Sequence, residues 1–251
     1  MTEPTVTTLR RWSDRLPRGL GHVVDVHETD SPAERRRRRR VSAGTLLAGT
    51  GLLGASLSTR PGSRPFYGLT FATALTWITG GLLSGPLQRG WIENRARMLN
   101  RPVVVPVATG VATFGVFCAG SLVARRIPVL DRAVSSALDF AEGGSGPVVL
   151  LTTCANGLGE EVFFRGALYA ALPESHPVAT STAAYVLTTV ATRNPALVLA
   201  ATVMGTLFGY QRRATGGLQA PLLTHLTWST LMVAVLPRVF RGGRHRSGAA
   251  S

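Results

Sequence analysis

The residue types best suited to chemistry cluster in GEEVFFRG, where Glu160, Glu161 and Arg165 stand inside an otherwise apolar run. Charged groups at bilayer depth are costly unless they are paired or face a wet cavity, so two acids and an arginine there point to a functional site. On an α-helix Glu161 and Arg165 are four apart and can pair. Glu160 lies about 100° round, beside Phe163 and Phe164, with no built-in partner. A free carboxylate of this kind suits a general base that takes a proton from water and hands it on. The competing reading is that both glutamates only tie helices together, and the cost of a second buried acid weighs against it. Farther on, Pro221, Thr224, His225, Trp228 and Ser229 line the last apolar run, and His225 and Ser229 share one face. A lone histidine on such a helix is as readily a satisfied hydrogen-bonding group as a catalytic one, and on residues alone both readings stand.

These residues must be positioned by membrane helices. Of 251 residues, 45% are hydrophobic and 16% charged, against roughly 25% charged in an average soluble domain. Apolar runs at about 41–58, 66–87, 102–124, 147–172, 178–192, 195–211 and 217–237 predict an all-α, polytopic transmembrane bundle of about seven spans. Between the third and fourth, Ile127, Leu130, Val134, Leu138 and Ala141 recur at helical spacing opposite Asp131, Arg132, Asp139 and Glu142, which predicts an interfacial helix. The expected organisation is a disordered basic tail over 1–40, spans and the interfacial helix over 41–145, the helices with the motifs over 146–237, and a basic tail over 238–251. Gly44, Gly49, Gly51, Gly54, Gly80 and Gly81 are expected to permit close helix packing and carry no site.

Net charge is +14, and all basic residues apart from histidine are arginine. The arginines stand at the ends of apolar runs, not on one continuous polar face, so membrane topology accounts for them and a nucleic-acid partner is not expected. Arg35 to Arg40 directly before the first span, then Arg89, Arg95, Arg97, Arg101, Arg212 and Arg213, place one side of the bundle and the N-terminus in the cytoplasm of a multi-pass cell-membrane protein. The arginine run would also attract anionic lipid headgroups. Arg238, Arg241, Arg244 and Arg246 fall on the wrong side for seven spans, unless the short run 178–192 is re-entrant. No cleavable signal is expected, because the first apolar run begins after about forty polar residues. Cys118 and Cys154 lack partners at metal-ligand spacing and read as small buried hydrophobes. No metal and no cofactor are expected, since His225 and two glutamates do not complete a zinc site.

GEEVFFRG followed by MGTLFGYQRRATGGLQAPLLTHLTWS resembles the CAAX-protease and bacteriocin-processing family of intramembrane glutamic endopeptidases, also called the Abi family. Its members carry EExxxR, FxxxH and HxxxN or HxxxD on successive helices, and the resemblance covers about residues 145–237. It implies that Glu160 activates water, with Glu161 and Arg165 as motif companions, and that His225 helps to stabilise the oxyanion of a tetrahedral intermediate. The chain departs from the pattern twice. Position 229 is serine, which donates one hydrogen bond from a shorter arm. The window where the second motif's histidine belongs reads TTVATR, with Tyr185 in place of phenylalanine and Thr189 or Thr192 in place of histidine; His176, in the preceding loop, is a weak substitute. Threonine can orient water but cannot act as a base at neutral pH.

The resemblance thus implies an intramembrane endopeptidase acting on a membrane-associated protein or peptide. The alternative is a family member without proteolysis that serves as a membrane scaffold or partner-binding protein, as the missing histidine would allow. A small transporter with the carboxylates as a proton relay ranks last, because the chain shows no internal repeat or paired broken helices.

Overall fold

The computed structural model describes residues 30–93, 98–172 and 175–240, with isolated positions at 16, 20 and 24. They are almost wholly helical, and helices occupy each of the seven expected apolar segments. In chain order these are α1 (Pro32–Leu57), α2 (Arg64–Ser84), α3 (Val104–Ala124), α4 (Pro128–Glu142), α5 (Gly146–Glu160), a π-helical segment (Glu161–Leu168) that runs on into the short α6 (Tyr169–Ala171), α7 (Pro177–Val190), α8 (Pro195–Thr215) and α9 (Gln219–Ala234). The departure from all-α is one two-stranded antiparallel ladder, β1 (Ile92–Glu93) with β2 (Leu99–Asn100).

Among the described residues two helices, α2 and α3, are long and apolar enough to cross a membrane. The outer face of α3 is an apolar surface, with Val104, Val111, Val116 and Val123 each at least half exposed. Helix α7 is shorter than the expected span. Its 14 residues rise about 21 Å, less than the roughly 30 Å of a bilayer's hydrocarbon core. Helix α4 is the strongly amphipathic element that the sequence predicts. Val134 and Leu138 pack with Leu236 and Phe240, while Arg132 and Asp139 stay exposed.

The arginine run is helical where the sequence reading placed the end of a disordered tail. Helix α1 starts at Pro32 behind a capping box, in which Glu34 N–H donates to Ser31 Oγ and Ser31 N–H donates to the Glu34 carboxylate at 2.7 Å. These Ser31 hydrogen bonds hold the Glu34 carboxyl below its ordinary range. The arginines then serve helix ends. Arg37 donates to Leu83 O and Arg38 to Pro86 O at the C-terminus of α2, and Arg39 donates to Ala171 O at the end of α6. A cation there meets unpaired carbonyls and the negative end of the helix dipole. Arg38 is buried and also pairs with Asp30 at 2.8 Å. Most of residues 1–29, Arg95, Arg97 and the C-terminal tail beyond Phe240 lie outside the described residues. Arginine is not confined to one end of the bundle, since Arg125, Arg126, Arg132 and Arg193 lie around α4.

The core is an aromatic block in the middle of the bundle. Trp77 of α2 stacks on Phe163 (centroids 4.7 Å apart, 25° between planes) and leans on Phe164, and all three are fully buried. Close approach of α1 to α2 makes room for it. A Cβ on Gly49 would run into the Trp77 ring, and one on Gly80 into Thr45. Gly44 and Gly51, expected to serve the same contact, have nothing within 4 Å. Gly80→Ala is accordingly expected to lower stability by about 1–3 kcal/mol. Gly44→Ala is expected to leave it unchanged or slightly raised. Thermal unfolding of the two variants in the same detergent checks the pair.

Candidate active site

Several helices, among them α2, α5, α7, α8 and α9, meet around the GEEVFFRG segment. Helix α5 delivers Glu160 at its last residue, and the chain passes into π-helical geometry at Glu161, so that Tyr169 N–H donates to Phe164 O five residues back. Such insertions are rare and recur at functional sites. Every residue from Glu161 to Leu168 is buried. The expectation of about 100° per residue therefore fails just past Glu160, and facing relations must be read from the fold.

Glu161 and Arg165 pair as expected, with Nε to Oε2 at 3.6 Å and both side chains fully buried. The pair has further partners. Arg165 Nη2 donates to Gly205 O of α8 at 3.2 Å, and its guanidinium lies 4.7 Å from the Tyr185 ring centroid and 5.2 Å from that of Phe208. Arg212 Nε donates to Arg165 O at 2.8 Å, tying the C-terminal end of α8 to the same residue. Glu161 Oε1 lies 2.8 Å from His225 Nδ1. The His225 ring is stacked on Phe208, with centroids 4.8 Å apart, so its other nitrogen, Nε2, is aimed at Glu160 Oε2 across 4.0 Å.

Glu160 is not without partners, which corrects the sequence reading. Asn156 Nδ2, one turn earlier on α5, donates to Oε1 at 2.7 Å, and the Tyr185 hydroxyl of α7 donates to Oε2 at 2.6 Å. Both were legible in part. Asn156 sits four residues before Glu160 on one helix face, and Tyr185 carries a hydroxyl where the resemblance implies phenylalanine. Gly205 and Phe208 had no signal of their own, because nothing local says that α8 turns them toward Arg165 and His225.

Glu160, His225 and Ser229 open on one cavity of about 290 Å³, whose wall also includes Asn156, Tyr185 and Trp228. Thr189 and Thr192 line it as well. Thr189 donates to Tyr185 O at 2.9 Å, and Thr192 Oγ1 accepts from Asn194 N–H at 3.3 Å. His176 precedes α7 at the opposite end from Thr189, about 20 Å along the axis. It is no substitute for the absent histidine. The cavity continues past Phe66, Thr70 and Thr73 of α2 to Ala137 and Phe140 of α4, which roofs it. Helix α9 is held in register by Gln211 Nε2, which donates to Thr224 Oγ1, and by Thr224, which donates to Pro106 O of α3.

Among the described residues no group of three or more His, Cys, Asp and Glu side chains is placed to hold a metal ion. Removing one partner from a buried ion pair leaves the other charge uncompensated, at a cost of about 3–5 kcal/mol. Arg165→Met is therefore expected to lose most folded protein, and Glu161→Gln in the same chain to recover part of it. Yield and thermal unfolding of the single and double variants measure this.

Residues 143–231 match the family model described as Rce1-like, Type II CAAX prenyl endopeptidase Rce1-like. The matched segment is thus similar to the family that the motifs resemble, and it contains every site residue from Asn156 to Ser229. No curated protein and no solved structure matches the chain significantly.

Proposed function

We propose that the protein is an intramembrane endopeptidase in which Glu160 activates water against a peptide bond of a membrane-associated protein or peptide. The observation that carries this is the approach of His225 Nε2 to Glu160 Oε2, 4.0 Å, at the wall of a cavity that both residues share. One water molecule can bridge that separation, which is the arrangement a base and an electrophilic donor need to act on one reacting centre.

The division of labour follows from the partners. Glu161 as a carboxylate can only accept, so His225 Nδ1 is the donor in their 2.8 Å contact and the tautomer is set. Nε2 is then a lone pair in the neutral ring and a donor in the protonated one. In the forward step Glu160 takes a proton as the water oxygen bonds to the carbonyl carbon. The carbonyl π pair moves onto oxygen, where the imidazolium form of His225, through Nε2–H, and the Ser229 hydroxyl can donate to it; the ring keeps both protons through the step. Collapse of the intermediate breaks the C–N bond, and Glu160 returns its proton to the leaving amine. Atoms and charge balance with water as the second substrate, and no cofactor enters.

The family description supports a peptide that ends in a prenylated CAAX-type sequence as the first substrate class to test. The apolar run of the cavity from Phe66 to Phe140 supports a hydrophobic occupant. Purified full-length protein in nanodiscs is expected to cleave a fluorescence-quenched peptide of that kind. Glu160→Gln is expected to reduce turnover by about 10²–10⁴-fold with little change in thermal unfolding. Equal turnover in the variant would remove Glu160 from the mechanism.

A further inference from the structure

Helix α7 departs from the family pattern at two positions one turn apart, and the structure couples them. Thr189 is one of the two positions, with Thr192, where the resemblance implies the assisting histidine, and the one four residues after Tyr185; its hydroxyl is committed to the Tyr185 carbonyl. Tyr185 stands where the resemblance implies phenylalanine, and its hydroxyl reaches Glu160 Oε2 at 2.6 Å, the shortest hydrogen bond that Glu160 makes. A phenylalanine could fill the same space but would leave that oxygen without a donor.

The Tyr185 ring cannot easily turn away. Phe164 meets it edge-on with centroids 5.0 Å apart, and the Arg165 guanidinium lies 4.7 Å from its centre. On the other carboxylate oxygen Asn156 donates from α5. Glu160 is thus gripped on both oxygens by donors from two helices, and the oxygen that Tyr185 holds is the one that faces His225. A carboxylate oxygen has lone-pair directions to spare, so this hydrogen bond leaves room for a water between Oε2 and Nε2.

We propose that Tyr185 is the positioning residue for Glu160 in this protein, and that its hydroxyl takes over the orienting work left by the absent histidine at Thr189. The inference rests on the hydrolytic reading of the cavity. Tyr185 makes and breaks no covalent bond. It fixes which way the carboxylate faces, and proton transfer stays with Glu160. The phenol and the histidine are alternatives at one site, since Tyr185 and Thr189 lie on the same face of α7 and both line the cavity.

The test uses full-length protein in nanodiscs and a peptide that the wild type cleaves, with kcat and KM measured separately. Misplacing a catalytic group by about 1 Å can cost on the order of 10²-fold. Tyr185→Phe is therefore expected to lower kcat by roughly 10–100-fold with KM unchanged. Adding Thr189→His, which restores the family's Phe-x-x-x-His pattern, is expected to recover most of that loss. A merely structural tyrosine would instead lower the amount of folded enzyme and leave kcat per folded molecule intact. Wild-type kcat in Tyr185→Phe, or a folded double variant without recovery, overturns the assignment. If Tyr185→Phe does not fold, the double variant alone decides by the same criterion. Cleavage that is lost in Glu160→Gln but kept in Tyr185→Phe sinks this inference and spares the hydrolytic reading, whereas absence of any wild-type cleavage sinks both.

Discussion

Arg165 has to be satisfied in a place that no water reaches, and the arrangement of the second half of the chain follows from how that is done. Its guanidinium is fully buried and takes one carboxylate from its own segment, Glu161 at 3.6 Å. Other helices supply the rest: the Gly205 carbonyl of α8 accepts from Nη2, and the Tyr185 ring of α7 and the Phe208 ring of α8 lie against the ion, while Nη1 has no hydrogen-bond acceptor. A buried charge left half-paired costs far more than a well-met one gains, so α7 and α8 are drawn to this residue. Glu161 in turn has an oxygen to spare, and His225 of α9 takes it at 2.8 Å. Arg212 closes the set by donating to the Arg165 carbonyl.

This network separates the two glutamates by role. Glu161 is consumed by structure, being bonded to a cation on one side and an imidazole on the other. That contact orients His225 so that Nε2 points away from the network and toward the cavity, with Phe208 behind the ring. Glu160, one residue earlier, ends α5 at the cavity wall and is held by Asn156 and Tyr185. One charged residue thus anchors the site while its neighbour remains exposed to whatever enters. The π-helical segment beginning at Glu161 lets two adjacent acids face different surroundings.

The supporting bundle has a similar economy. Trp77 and the two phenylalanines behind the acids form a rigid apolar floor, and small residues let α1 approach closely enough to seal it. The arginine run that opens α1 is positioned to neutralise carbonyls at the ends of α2 and α6. Charge that reads as a topological marker in the sequence is therefore also part of the packing at that end of the molecule.

Much of this is legible in the sequence. Seven apolar segments, the amphipathic α4 and the Glu161–Arg165 pair follow from periodicity and spacing, because helix geometry alone relates residues three, four or seven apart. The order of motifs pointed to Glu160 and His225, and the family model covers that stretch. What sequence periodicity could not supply are relations between segments far apart in the chain. Examples are which glutamate the histidine bonds, that Tyr185 reaches Glu160 across 25 positions, and that Gly205 offers its carbonyl to Arg165. It also misjudged Glu160 as unpartnered and the arginine run as disordered. A side chain's partners in a bundle are set by the rotation of each helix about its own axis, and that rotation is decided by the packing and charge satisfaction of the whole. The sequence alone determined which residues had to be buried and which of them could react; only the tertiary structure decided which carboxylate faces the cavity, since that choice depends on contacts from three other helices at once.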